Sequence, residues 1–355
     1  MDNPAEGPPG YHVGDVLELQ ILHSNTGLLP KADTVSVSIS QLITNTMSTV
    51  VRVNFDTGCA ILKLYDRRFG TCFREHDDEI IPYCDQAQAA YHSFLQRGAM
   101  GPFLKELDDE LSSLDVIVPR TASDLRDEPD GVARFEAALW RNANNAFKTE
   151  SEAYTRMQDL QGALIPKLYA VVRVVIAKEN NTQDNEYLDI HGILLEPIAG
   201  CSLRDLITSS YAPKTKEEWS FIVQRAVDSA HEINKRGIVL DDSAPRNVVV
   251  DQTSHHVFLV DFAQCFFRDT MFEDFEKEAE GWDAAAEYCE VVRTHNNPAA
   301  IGLPMVRRVR NKFGWNLEIV YPESDDVLSE TKSQTPDQQD CHLAPQSVGV
   351  PDTET

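Results

Sequence analysis

Two short loops late in the chain carry the residue types best suited to charge chemistry. The first is Leu240-Asp241-Asp242-Ser243-Ala244-Pro245-Arg246-Asn247, and the second is Val260-Asp261-Phe262-Ala263. Asn247 follows Asp242 by five residues, and Asp261 follows Asn247 by fourteen. Between them, Val248–Val250 and Val257–Val260 read as short strands joined by Asp251-Gln252-Thr253-Ser254-His255-His256. A hairpin of that kind returns both loops to the same strand ends. Asp and Asn also favour turns, so the first loop alone fits an ordinary turn equally well. The second loop, in the right strand context, is what favours a site.

Two upstream residues would have to meet these loops. Lys63 lies in the apolar run Ala60-Ile61-Leu62-Lys63, where a buried ammonium is costly without a partner. A strand-end lysine reaching water along its stem is the plainer alternative. Glu150 falls on the helical stripe of Phe147, Tyr154, Met157 and Leu160, so a partner is expected for it. Glu152 points about 200° away and reads as a solvated acid.

The elements that must position these residues are readable from periodicity. Val13–Leu22 and Thr34–Ile43 suggest strands, and Thr49–Asn54 and Cys59–Tyr65 should pair across the turn Phe55-Asp56-Thr57-Gly58. A helix is expected from Asp85 to Gly98, then helical spacing of Leu104, Leu107 and Leu111, then a stronger helix over Val132–Leu160. Strands follow at Leu168–Ala177 and Ile193–Pro197. A helix from Lys216 to about Arg236 buries Trp219, Ile222, Val223, Ala226, Ala230 and Ile233, with Gly237 as its stop. A strand-rich first half before a helix-led second half is the pattern of a two-lobed α+β protein.

The chain has 355 residues, 57 of them Asp or Glu against 32 Lys or Arg, a formal charge of −25. That balance argues against nucleic-acid partners and against an anionic membrane surface. Any phosphate ligand would need local cations or a metal. The most apolar run, Leu168–Ala177, is broken by Arg173 and is far shorter than the roughly 20 residues a membrane helix needs. The first ten residues show no signal-peptide pattern, and the seven cysteines form no Cys-x-x-Cys pair. A cytoplasmic or nuclear location is therefore expected. Residues 1–12 read as a flexible leader, and 321–355, with eight carboxylates and one Lys, as a disordered acidic tail.

The pieces Leu62-Lys63-Leu64-Tyr65-Asp66-Arg67-Arg68-Phe69, Leu160-Gln161-Gly162, Ile165-Pro166 and Val260-Asp261-Phe262-Ala263-Gln264-Cys265, with Asp242 and Asn247, resemble the protein-kinase-like domain, and a divergent fungal lineage of it, over about residues 13–320. The resemblance implies an α+β bilobal protein-kinase-like fold. Its N-lobe would be 13–198 with a helical insert at about 66–144, and its reduced C-lobe 199–320. It also implies ATP and Mg²⁺ as cofactors, with γ-phosphoryl transfer to a hydroxyl, first of all a protein Ser or Thr. On that likeness Asp242 would be the base, Lys63 and Glu150 its catalytic pair, and Asn247 and Asp261 the metal ligands. Thr46, Ser48, Leu195, Glu196 and Ile198 would line the nucleotide site, with ATP and a protein substrate as partners.

Three departures keep a non-catalytic scaffold and a small-molecule phosphotransferase open as alternatives. Ile43-Thr44-Asn45-Thr46-Met47-Ser48-Thr49-Val50 lacks the glycines of a phosphate-covering loop. Leu240 and Ala244 stand where the family has His and Lys, and no Ala-Pro-Glu follows Asp261. The basic run Val306-Arg307-Arg308-Val309-Arg310-Asn311-Lys312 reads as a solvated face or as a surface for an acidic partner or phosphate. His255-His256 lacks further ligands at metal spacing.

Overall fold

Alternation of apolar and polar side chains builds the first half. The structure, a computed structural model, describes residues 10–25, 33–111, 120–175, 186–272 and 283–328. The first four strands are β1 (Val16–Ser24), β2 (Thr34–Asn45), β3 (Thr49–Phe55) and β4 (Gly58–Tyr65), paired in an antiparallel meander. Along β2, Val35, Val37 and Ile39 turn inward while Thr34, Ser36 and Ser38 face out. After β4 come a two-residue-per-strand hairpin, β5 (Glu75–His76) and β6 (Glu79–Ile80), then α1 (Asp85–Gln96), α2 (Met100–Leu111), α3 (Ala122–Arg126) and α4 (Gly131–Arg156). The chain then returns as β7 (Leu168–Val174) and β8 (His191–Leu195).

These last two strands close the sheet on itself. β4 pairs with β8, β8 with β7, and β7 with β1, giving a closed six-stranded barrel in the order β1-β2-β3-β4-β8-β7. Closure leaves no unpaired strand edge. Register shifts in β1, β2 and β7 supply the local bending that a small barrel requires. One apolar cluster with members from all six strands, among them Leu19, Val37, Val51, Leu62, Ala170 and Leu194, fills the interior.

The opposite face of β4 does different work. Ile61, Lys63 and Tyr65 point away from the barrel interior, toward α4, and Tyr65 joins the core shared with Ala143, Ala146, Ala153 and Tyr154 of that helix. α4 is 26 residues, about 39 Å long, and rich in good helix formers. Its start is tightly built: Asp130 is left-handed (φ 60°), and a Cβ on Gly131 would lie 1.9 Å from the Arg126 carbonyl oxygen. Two of its carboxylates, Glu136 and Glu150, are fully buried. Their spacing of fourteen residues is close to four turns, so both look the same way. Glu136 accepts from Arg74 Nη2 (2.6 Å) and from Arg67, whose guanidinium lies 3.9 Å over the Tyr91 ring of α1. The helical region thus has its own core, with Tyr91, Phe94, Phe103 and Leu107 packed on Ala133 and Ala137.

The second half begins with β9 (Gly200–Ser202), α5 (Leu203–Leu206) and α6 (Lys216–Lys235). A capping box of Thr215 and Glu218 starts α6, and Gly237 at φ 74° ends it. Then follow β10 (Ile238–Leu240), β11 (Val248–Asp251), β12 (Val257–Leu259), β13 (Cys265–Phe267), α7 (Ala284–His295) and α8 (Asn297–Phe313). The strands form two small sheets, β12-β11-β9 and β10-β13. α8 packs along α6. Of the acidic stretch 321–355, residues 321–328 are described, with Val327 packed beside Val239, Tyr288 and Val292. The rest of that stretch and residues 1–9 of the leader lie outside the described residues.

The expected α+β bilobal protein-kinase-like fold, with its insert-bearing N-lobe and reduced C-lobe, is corrected by this architecture. The chain forms a closed barrel with helices and separate small sheets rather than two such lobes. The physical reason lies in β1, whose two edges are both used, by β2 and by β7 some 150 residues later. Alternation in a sequence marks a strand but not its second neighbour. No helix among the described residues is long and apolar enough to cross a membrane.

The two classes of ion pair should differ sharply in cost. Glu136→Gln leaves two arginines without their buried carboxylate and is expected to lower unfolding free energy by about 3–5 kcal/mol in urea titration. Lys105→Ala, which breaks the exposed Lys105–Asp109 pair, should change it by less than about 0.5 kcal/mol.

Candidate functional site

Three elements converge on one ammonium. Lys63, 6% exposed on the outer face of β4, places Nζ 2.5 Å from Glu150 Oε2 on α4 and 2.6 Å from Asp261 Oδ1 after β12. Tyr65, two residues on and therefore on the same face of the strand, donates its hydroxyl to the same Glu150 oxygen. Glu150 Oε1 is buried without a hydrogen-bond partner. One turn along α4, Tyr154 packs edge-on against Phe262 (5.4 Å between ring centres), which seats the Asp261 loop on the helix. Glu152 is at the surface, paired with Arg156 at 2.7 Å.

The two carboxylates on Lys63 are not equivalent. Glu150 is wholly buried, whereas the Asp261 side chain is 38% exposed. Burial pushes the Glu150 carboxyl above its ordinary value, Lys63 opposing that rise and Asp261 adding to it. Burial also works against the Asp261 carboxylate, but Lys63, the Ala263 backbone N–H and Arg246 together hold it below the usual range. Burial likewise opposes the Lys63 ammonium, and its two carboxylates more than offset that, so its pKa lies above that of a free lysine. The environment therefore divides the acids into one that takes up a proton readily and one that resists it. Asp261 itself is held in the left-handed region at φ 69°, a conformation that non-glycine residues adopt at a cost.

The other loop lies alongside. The Val260 N–H donates to the Asn247 carbonyl at 2.9 Å, tying the two loops together. Asn247 Nδ2 donates to Asp242 at both the backbone oxygen (2.8 Å) and Oδ2 (3.0 Å), and Arg246 pairs with Asp242 Oδ1. Both oxygens of the expected base are thus occupied within its own loop. Asn247 and Asp261 carry oxygen donors suited to a hard cation. Among the described residues, however, no group of three or more His, Cys, Asp or Glu is gathered to hold a metal. A cation here would have to bring oxygen ligands of its own.

The remaining expected residues sit apart from this cluster in their bonding. The Thr46 carbonyl accepts from Cys72 N–H (3.1 Å), and Ser48 is buried in the β2–β3 turn. Leu195 ends β8, paired with Ile61 and Leu168. Glu196 is bonded to Lys167 through backbone and side chain, and Ile198 is half-buried on the way to β9. Sequence reasoning overlooked Tyr65, although period-two spacing puts it beside Lys63; the reach of Arg246, left open by the sequence, ends on Asp242 four residues earlier.

No protein-family profile matches the sequence, and none of the curated proteins compared with it does. With the barrel architecture and the lack of a gathered metal cluster among the described residues, this corrects the assignment to a protein-kinase-like family, its kinase and nucleotide vocabulary, and the expectation of an ATP-dependent phosphotransferase. Short motif pieces around charged loops recur in unrelated folds, and here Asp242 is committed to Arg246 and Asn247.

The raised pKa of Glu150 has a consequence for stability. The folded state binds its proton more tightly than the unfolded chain, so this residue's contribution is complete below the ordinary value of 4.5 and is lost as pH rises through the raised one. The stability of wild type relative to Glu150→Gln should therefore increase as pH is lowered from 7 toward 4.5, measured by urea denaturation at each pH. A difference that is flat or falls over that range would contradict the buried setting of Glu150.

Proposed function

We propose that the protein is a binding module that takes a phosphate-bearing anion together with a divalent cation at the Lys63 cluster, and transfers no group. ATP with Mg²⁺ serves as the probe of that ligand class. The observation that carries this reading is a nearly buried ammonium whose single water-facing partner is Asp261. An anion that replaces Asp261 on Lys63 forms a charge-assisted hydrogen bond with a donor already desolvated. The released Asp261, with Asn247 nearby, then offers oxygen to a cation that the ligand phosphates also hold. A chain of net charge −25 repels a bare polyanion, so the cation is required for binding and not an accessory to it. Binding without transfer is favoured by Asp242, whose oxygens already accept from Arg246 and Asn247.

A melting-temperature shift on the purified chain tests this reading. ATP with Mg²⁺ should raise Tm progressively with ligand concentration, and ATP with chelator should not. Asp261→Asn should lose most of the magnesium-dependent shift, and Lys63→Met all of it, the latter starting from a protein less stable by about 3–5 kcal/mol. No ADP should accumulate during the incubation. Equal shifts with and without magnesium, or an unchanged response in Asp261→Asn, would contradict it.

A further inference from the structure

One cavity, away from the Lys63 cluster, combines charge with aromatic surface. It lies between the segment after α5 and the C-terminal end of α8, has a volume of about 330 Å³, and is lined by Ile207, Ser209, Lys214, Lys312, Phe313 and Trp315. That size falls at the small end of the range for small-molecule pockets. Phe313 and Trp315 stack at 4.8 Å with 21° between their planes, forming a flat apolar wall. Behind Phe313, at 6.2 Å, lies Trp219, whose indole nitrogen is buried and unpartnered. The Ser209 hydroxyl oxygen, in the cavity lining, is also buried with no hydrogen-bond partner.

The cations are the unusual part. Acids outnumber bases by 57 to 32, yet the ammonium groups of Lys214 and Lys312 make no ion pair among the described residues. The backbone N–H of Lys214, by contrast, is bonded to Glu218 at 2.8 Å. Arg308, four residues before Lys312 and so on the same flank of α8, is likewise without an ion pair, although its charge acts on Asp205. Asp205 is itself engaged by Ser202 and Arg204. Two uncommitted ammonium groups, a hydroxyl without a partner and a stacked ring wall are complementary to a dianion carried on a planar apolar body. We propose that this cavity binds a small aromatic phosphate monoester. The ring would lie against Trp315, and the phosphate would sit between Lys214 and Lys312 with the Ser209 hydroxyl donating to it. This site is independent of Lys63, so either can fail without the other.

Phenyl phosphate titrated into the full chain tests the proposal, read by calorimetry and by the ¹H–¹⁵N indole signal of Trp315, identified by its loss in Trp315→Phe. The Trp315 signal should move and saturate, while phenol and inorganic phosphate bind about tenfold or more weakly than the joined molecule. The Lys214→Met/Lys312→Met double variant should raise Kd about tenfold or more. Both side chains are exposed, so its Tm without ligand should match wild type. Ser209→Ala should weaken binding by a smaller factor. An unmoved Trp315 signal at millimolar phenyl phosphate would overturn the proposal, as would an unchanged Kd in the double variant or binding as tight by inorganic phosphate alone.

Discussion

Keeping Lys63 charged where water scarcely reaches is the constraint around which the site is organised. Removing an ammonium from water costs several kcal/mol, and only well-placed opposite charge repays it. Here repayment comes from two carboxylates on two other elements, Glu150 on the long helix and Asp261 on the loop after β12. The barrel strand, the helix and the second half of the chain therefore meet at a single nitrogen. Movement of the strand or the helix orphans a buried charge, whereas Lys63 and Glu150 still neutralise each other when the Asp261 loop moves.

The helix α4 carries this constraint across the molecule. Its two buried carboxylates point the same way four turns apart, one gripping Arg67 and Arg74 beside the helical region and one gripping Lys63. At about 1.5 Å per residue, the two charge clusters are roughly 21 Å apart along the axis. The small side chains Ala143, Ala146 and Ala153 let the helix approach the barrel closely between and beyond them. The rigid partner at Lys63 is thus Glu150, and the adjustable one is Asp261, held in a left-handed turn at the surface. A site with one fixed and one exchangeable counter-ion is suited to admitting a ligand without losing its framework.

Much of the local structure was readable from residue patterns. The strand over Cys59–Tyr65, the helix spanning Glu150 and the hairpin between Asn247 and Asp261 all follow from periodicity and turn chemistry, and the face assigned to Glu150 follows from its stripe. Closure of the barrel was not readable, because β1 pairs with a strand some 150 residues later and alternation does not name that second neighbour. The buried arginines were equally hidden: Arg67 and Arg74 look like surface residues after a strand until Glu136 is seen to share the phase of Glu150. Family likeness misled at the level of the whole fold for a related reason. Its motif pieces were short and local, while the architecture is decided by long-range pairing.

The central claim, that Lys63 and Glu150 hold barrel and helix together through one buried charge pair, is tested most directly by a double-mutant cycle. Unfolding free energies would be measured for wild type, Lys63→Met, Glu150→Gln and the double variant at neutral pH. The account predicts a coupling energy of about 1 kcal/mol or more, with the double variant less damaged than the sum of its parts. Additive losses, agreeing within about 0.3 kcal/mol, would contradict it.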